Sequence, residues 1–284
     1  MKKQNRWILI LTHFVLMILL VAVLFPAFWV FITSLNAANV FQSGGSIWPK
    51  RFTLDHYIYL FRETDFLLWI KNSFIVCTTS TLIALFLTTT AGYAFSRFQF
   101  IGRKMGLAGM IIAQMFPGMM AMVAFFKILN WLGIITEGAI GLNTLSGLIL
   151  IYAGGGIPFN TWILKGYIDS IPREIEESAY IDGATPWQTF VQVVLPLLWP
   201  ILTVVGIFSF ILPYTDFLLP VIILQDPKKY TLAVGMRAFI AGQFNKNWPA
   251  FAASATLGAL PILIIFLLLQ RFLVEGLTKG ALKG

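Results

Sequence analysis

Where charge is missing says most about how this chain can fold. Asp, Glu, Lys and Arg are absent from Trp7 to Pro49, Asn72 to Ser96, Met105 to Phe126, Gly138 to Leu164, Gly183 to Thr215 and Asn247 to Gln270. An ionisable side chain at mid-bilayer is costly, and a helix needs roughly 20 apolar residues to cross. Trimmed to their apolar cores, the intervals predict helices near residues 7–33, 72–95, 105–126, 145–165, 198–223 and 250–270. The runs do not alternate polar and apolar residues, which argues against a membrane β-barrel. The expected fold is all-α, a polytopic membrane protein with six transmembrane helices in one domain over residues 1–284.

Composition agrees, since 11% of residues are charged against about 25% in an ordinary soluble domain. Met1 to Arg6 resembles the start of a signal peptide, yet the apolar run behind it exceeds the usual roughly 7–15 residues and no small-residue cleavage site ends it. It reads as a retained anchor. With a cytoplasmic N-terminus, eleven of the twenty basic residues fall inside, and the Arg97, Arg103 and Lys104 cluster favours the same orientation. Both termini are then cytoplasmic. The net charge of +8 is scattered between spans and does not form the stripe that nucleic acid requires, so anionic lipid is the expected counterpart. The single cysteine, Cys77, lies in the second span and leaves no intrachain disulfide.

No fixed-period repeat appears. Two long loops, about 36–71 and 225–248, are external in this topology and mix aromatic with charged residues, as interfacial segments do. A third, about 171–196, contains EESAYIDGATPWQTF, Glu176 to Phe190. Pro172 suits a first helical turn, and Glu174, Glu176 and Glu177 suit the positive end of a helix dipole. Gly183 can take a left-handed C-terminal turn, and Thr185-Pro-Trp-Gln188 is a capping box with proline at the first helical position. In the second helix Trp187, Phe190, Val191 and Val194 fall on one stripe opposite Gln188 and Gln192, and Leu195-Pro196 closes it. The result is a polar-tipped knob of two short helices. It can serve as an interfacial turn or fit a cleft on a protein partner, and its acidity argues against lipid, which usually meets basic helices.

Glu177-Ser-Ala179, three residues, Gly183, nine residues and Val193-Val-Leu195-Pro196 resemble the EAA motif, E-A-A-x3-G-x9-I-x-L-P, of bacterial ABC importer permeases. Ser178 for Ala and Val193 for Ile are the departures. YTLAVGM at Tyr230 to Met236, GLTKGALKG at Gly276 to Gly284 and the segment Gln243 to Trp248 are similar to the maltose/maltodextrin permeases of the MalG type, over essentially the whole chain. The resemblance implies a type I importer permease whose knob is a cytoplasmic coupling hairpin, seated in a homodimeric ABC ATPase through Glu177, Ser178, Ala179, Asp182 and Gly183. It also implies an ATPase-contacting tail (Thr278, Lys279, Gly280, Lys283, Gly284), a loop that meets an external sugar-binding protein (Gln243, Phe244, Asn245), and a second permease subunit of the MalF type. No cofactor is expected on this chain; ATP and Mg belong to the ATPase. The implied location is the bacterial inner or plasma membrane.

Within the spans, Asp216 in LPYTDFLLP is a candidate gate or pathway residue, or a structural pairing near the interface. Gly154-Gly-Gly156 with Pro158 allows a bend or close helix packing, which makes Gly155 a second pathway candidate. The hydroxyls of Thr78 to Thr81 and Thr88 to Thr90 can bond their own helix and select no sugar path. The abundant aromatics likewise select no substrate residue. No G-x-x-x-x-G-K-[ST] loop is present, and His13 and His56 form no zinc motif, so no catalytic or metal residue is assigned. Two other classes stay open on the residues alone: an ion-coupled carrier using Asp216 and an intramembrane enzyme.

Overall fold

The computed structural model describes residues 6–37, 48–49, 51–241 and 246–281, with backbone only for 271–281. The described residues are helical apart from loops and an isolated antiparallel bridge between Asn36 and Phe52. In chain order the helices are α1 (Arg6–Ser34), α2 (Asp55–Glu63), α3 (Phe66–Arg97), α4 (Arg103–Gln114), α5 (Gly118–Ile135), α6 (Leu145–Gly155), α7 (Ile157–Asp169) and α8 (Glu174–Ile181). They continue as α9 (Pro186–Leu197), α10 (Trp199–Thr215), α11 (Leu218–Ile223), α12 (Leu232–Met236) and α13 (Trp248–Ala281).

Among them α1, α3, α5 and α13 are each long and apolar enough to cross a membrane. The pairs α6 with α7, bent by 41°, and α9 with α10, bent by 75°, bring the total to six if each is one broken span. That matches the expected number, with two placements corrected. The fifth span was expected at 198–223, but its helix ends at Thr215, where Asp216 is extended, and Leu218–Ile223 is a separate short helix. The third span was expected at 105–126, but Pro117 divides that interval and the crossing helix is Gly118–Ile135. Proline lacks the N–H that continues a helix and drives the preceding residue toward extended backbone. Lys127, which had closed the charge-free interval, lies exposed on α5, where a long side chain can carry its charge toward the interface.

The chain divides into two compact units, Met1–Leu67 with Gly235–Pro261, and Leu68–Val234 with Ile262–Gly284. In the first, α1 is exposed from Arg6 to Phe28, so its apolar surface is left to lipid or another chain. The Ser34 and Tyr57 hydroxyls pair at 2.6 Å, and His56 Nε2 lies 3.0 Å from the Asn36 carbonyl. In the second unit, one core gathers Val76, Leu129, Leu148, Leu219 and Ile223 from α3, α5, α6 and α11. Another gathers Tyr93, Ile168, Phe190, Val194 and Leu198, and sits beneath the α8–α9 loop.

A small residue sets how closely α3 approaches α7. A Cβ placed on Gly92 would lie 3.0 Å from Leu164 Cβ and 3.2 Å from the Lys165 amide nitrogen, and the second of these is backbone that cannot rotate away. Gly92→Val is therefore expected to push the helices apart and lower stability by about 1–3 kcal/mol, as overpacking does. Thermal unfolding of the detergent-solubilised chain reads this as a lower midpoint; an unchanged midpoint would show that the helices are not in contact there.

Candidate coupling surface

The short helix α8 begins with three acids in its first turn, Glu174, Glu176 and Glu177, where a helix presents unpaired N–H groups. Arg173 occupies the cap position, so Pro172 stands just outside the first turn where it had been expected. At the other end Gly183 has φ of 87°; its N–H donates to the Tyr180 carbonyl, and the Ala184 N–H donates to the Ala179 carbonyl, each at 3.0 Å. This is the paired C-terminal closure that only a left-handed residue permits at low cost. The chain restarts at once. Thr185 Oγ1 accepts from the Gln188 N–H at 3.3 Å, and Gln188 Oε1 accepts from the Thr185 N–H at 2.8 Å, completing the expected capping box.

The second helix departs from expectation in its winding. Residues Thr189–Val194 form a wide π turn, and the helix runs on to Leu197 past Pro196 before the 75° bend into α10. The wider turn breaks the 3.6-residue stripe. Phe190 and Val194 are buried and Val191 half-buried, but Trp187, expected on the same apolar stripe, is 64% exposed. Its ring still lies 5.7 Å from that of Phe190.

Of the expected coupling residues, Glu177, Ser178, Asp182 and Gly183 are exposed and Ala179 is half-buried. Ser178 Oγ bonds back to the Glu174 carbonyl at 2.8 Å. Ile181, 87% exposed, stands on the same elbow as Trp187. Large apolar groups beside exposed carboxylates form a surface suited to a protein cleft.

The residue that fastens this elbow is Glu176, which the sequence offers only as one of three acids suited to the positive end of the helix dipole. It is 4% exposed. Tyr93 Oη donates to its Oε2 at 2.9 Å and Arg97 Nε to its Oε1 at 2.5 Å, both from the last turns of α3. Arg97 Nη2 also donates to the Ile171 carbonyl at 3.0 Å, where the loop begins. Ser96 Oγ donates to Asp169 Oδ1 at 2.5 Å, and Lys165 pairs with the other oxygen of Asp169. Tyr93 further packs its ring 4.6 Å from that of Phe190, so α3 holds both arms of the elbow.

The other expected residues lie elsewhere. Tyr152 Oη donates to Asp216 Oδ2 at 2.8 Å, and the Leu218 N–H donates to Asp216 Oδ1 at 2.9 Å, so this carboxylate ties α6 to the start of α11. Gly155 borders a cavity of about 660 Å³ whose walls include Phe125, Tyr152, Phe159 and Phe208, and where Asn160 Nδ2 donates to Ser209 Oγ at 3.1 Å. Thr278, Lys279 and Gly280 continue α13 as helical backbone. Lys283 and Gly284, and the loop residues Gln243, Phe244 and Asn245, lie outside the described residues. Among the described residues no three metal-ligating side chains cluster.

Among known proteins, the family described as "Binding-protein-dependent transport system inner membrane component" matches residues 80–279. The maltose/maltodextrin transport system permease protein MalG of Escherichia coli K12 is 41% identical, covering 99% of this chain and 98% of that protein. The maltodextrin transport system permease protein MdxG of Bacillus subtilis 168 is 38% identical, covering 97% and 96%. A chain of a bacterial ABC transporter involved in import of the acidic polysaccharide alginate shares the fold, with a TM-score of 0.80 at 20% identity over 96% of this chain and 99% of that one.

The closure at Gly183 can be tested apart from any partner. Nothing lies within 4 Å of a Cβ placed there, so Gly183→Ala meets only the backbone penalty of a left-handed L-residue, about 1–2 kcal/mol. Amide exchange across residues 174–188 is expected to accelerate roughly fivefold to thirtyfold. Exchange at the parental rate would mean that the turn does not hold the elbow.

Proposed function

This chain belongs to the binding-protein-dependent transport system inner membrane component family, and on that premise we propose that it is the permease subunit of an ATP-driven importer of maltose, maltodextrin or a related glucoside. The observation that carries the reading is the elbow: an exposed acidic and apolar tip on two short helices, fixed from behind by α3. Glu177, Ser178, Ala179, Asp182 and Gly183 face a cleft in a cytosolic ATPase dimer, which binds ATP and Mg. Closure of the dimer displaces the elbow, and the membrane helices attached to it alternate access between the two faces. The tail from Thr278 to Gly284 meets the ATPase, a second permease subunit completes the pore, and Gln243, Phe244 and Asn245 meet an external sugar-binding protein. The N- and C-termini are cytoplasmic, and residues 1–284 act as one permease domain. Gly155 on the cavity wall and Asp216, which holds Tyr152 there, frame this chain's share of the pathway.

The test is reconstitution with an ATPase, a partner permease and an external binding protein, measuring sugar-stimulated ATP hydrolysis across maltose, maltodextrins and trehalose. Stimulation by a glucoside is expected; none from any sugar would remove the reading. In that assembly Glu177→Lys should weaken ATPase docking by about tenfold or more, because like charges brought together at an interface cost several kcal/mol. Parental docking and transport would show that Glu177 does not face the cleft. Gly155→Trp, which fills open space, should slow sugar uptake while ATPase copurification stays at the parental yield. Unaltered uptake would place the pathway away from this cavity.

A further inference from the structure

Helix α3 is fastened at both of its ends to segments that are not themselves spanning helices. At one end, Tyr93 and Arg97 donate to Glu176 of the elbow, and Arg97 also donates to the Ile171 carbonyl. At the other, Trp69 Nε1 donates to the Pro227 carbonyl at 3.0 Å, and Asn72 Nδ2 donates to the carbonyls of Lys228 and Tyr230 at 2.9 and 3.0 Å. Ser73 Oγ accepts from the Leu232 N–H at 2.8 Å, so the segment from Pro227 to Leu232 is held by three side chains, Trp69, Asn72 and Ser73, at one helix end. Between the fastenings the hydroxyls of Ser80, Thr88 and Thr90 bond carbonyls of α3 itself. Ser80 and Ala84 border the cavity, so part of the middle of α3 faces open space.

The shaft is also continuous. Its 32 residues contain no proline and no break, whereas α6 with α7 and α9 with α10 bend by 41° and 75°. Asn72 and Arg97 are about 37 Å apart at helical rise. With hydrogen bonds to backbone carbonyls at one end and to a buried carboxylate at the other, either segment must break these bonds to move without the helix.

We propose that α3 is a transmission rod that carries displacement of the elbow to the Pro227–Leu232 segment, with Glu176 and Asn72 as its two positioning residues. The inference rests on the importer reading, in which that segment opens the external loop leading to the binding-protein contact. It makes the coupling reciprocal: what closure of the ATPase does to the outer segment, docking at the outer segment does to the ATPase.

The assembled importer in lipid nanodiscs tests this by ATP hydrolysis with and without maltose-loaded binding protein. Asn72→Leu is expected to retain basal hydrolysis and subunit copurification and to lose roughly fivefold or more of the stimulation. Trp69→Phe, which keeps an aromatic ring but removes the indole N–H together with part of the ring, should lose part of it and serves if the leucine variant does not assemble. Glu176→Gln should also lower stimulation, and the double variant Asn72→Leu with Glu176→Gln should be no worse than the poorer single, since both interrupt one connection. Thr90→Val, away from both fastenings, should match the parent. Undiminished stimulation in both Asn72→Leu and Trp69→Phe overturns the rod, as does a double variant whose losses multiply. A parental complex that no binding protein stimulates overturns the importer reading itself.

Discussion

A carboxylate drawn out of water must be met by donors, and in this molecule the requirement falls on Glu176. Removing one member of a buried charge pair costs about 3–5 kcal/mol because the other is left uncompensated. The pair contributes less to net stability than that figure suggests, since both charges had first to be desolvated. Its effect is on geometry: with Arg97 and Tyr93 on its two oxygens, Glu176 admits one placement of α8 against the end of α3. The core of Tyr93, Phe190 and Val194 forms around that placement. The exposed tip, Glu177 through Gly183, then projects from a fixed base.

The bilayer sets the remaining terms. Backbone polar groups in hydrocarbon need internal partners, which favours helices, and interruptions are tolerated where a cavity or a neighbouring segment receives the freed groups. The bend at Gly156 lies on the cavity wall, and the break after Thr215 is closed by the Asp216 carboxylate accepting from the Leu218 N–H. The same carboxylate accepts from Tyr152, so its presence in an apolar stretch has a structural account. The ion-coupled alternative loses its main support, and family membership sets it aside.

Much of this was legible in the residues. Six charge-free intervals predicted six spans, and the elbow's turn chemistry could be read at Gly183 and Thr185 because both features act within a few residues. What escaped notice depended on tertiary structure. Glu174, Glu176 and Glu177 are alike to any local rule, and only the approach of α3 singles out the middle one. Trp187 falls on one apolar stripe with Phe190 and Val194 only while a 3.6-residue period holds, and the π turn over Thr189–Val194 breaks that period. The third span was misplaced because charge alone marked its edges, although Pro117 was visible as a helix breaker and Lys127 could be accommodated by its long stem.

The central claim is that an ATP-hydrolysing partner grips the elbow, and one measurement addresses it directly. Cys77 is the single cysteine and is buried, so Asp182→Cys, ideally with Cys77→Ala, places one accessible thiol at the tip. Treated with a short thiol-reactive crosslinker in the assembled complex, it is expected to capture the cytosolic ATPase subunit. Reaction with reagent but no ATPase adduct, in a complex from which the ATPase copurifies, would contradict the account.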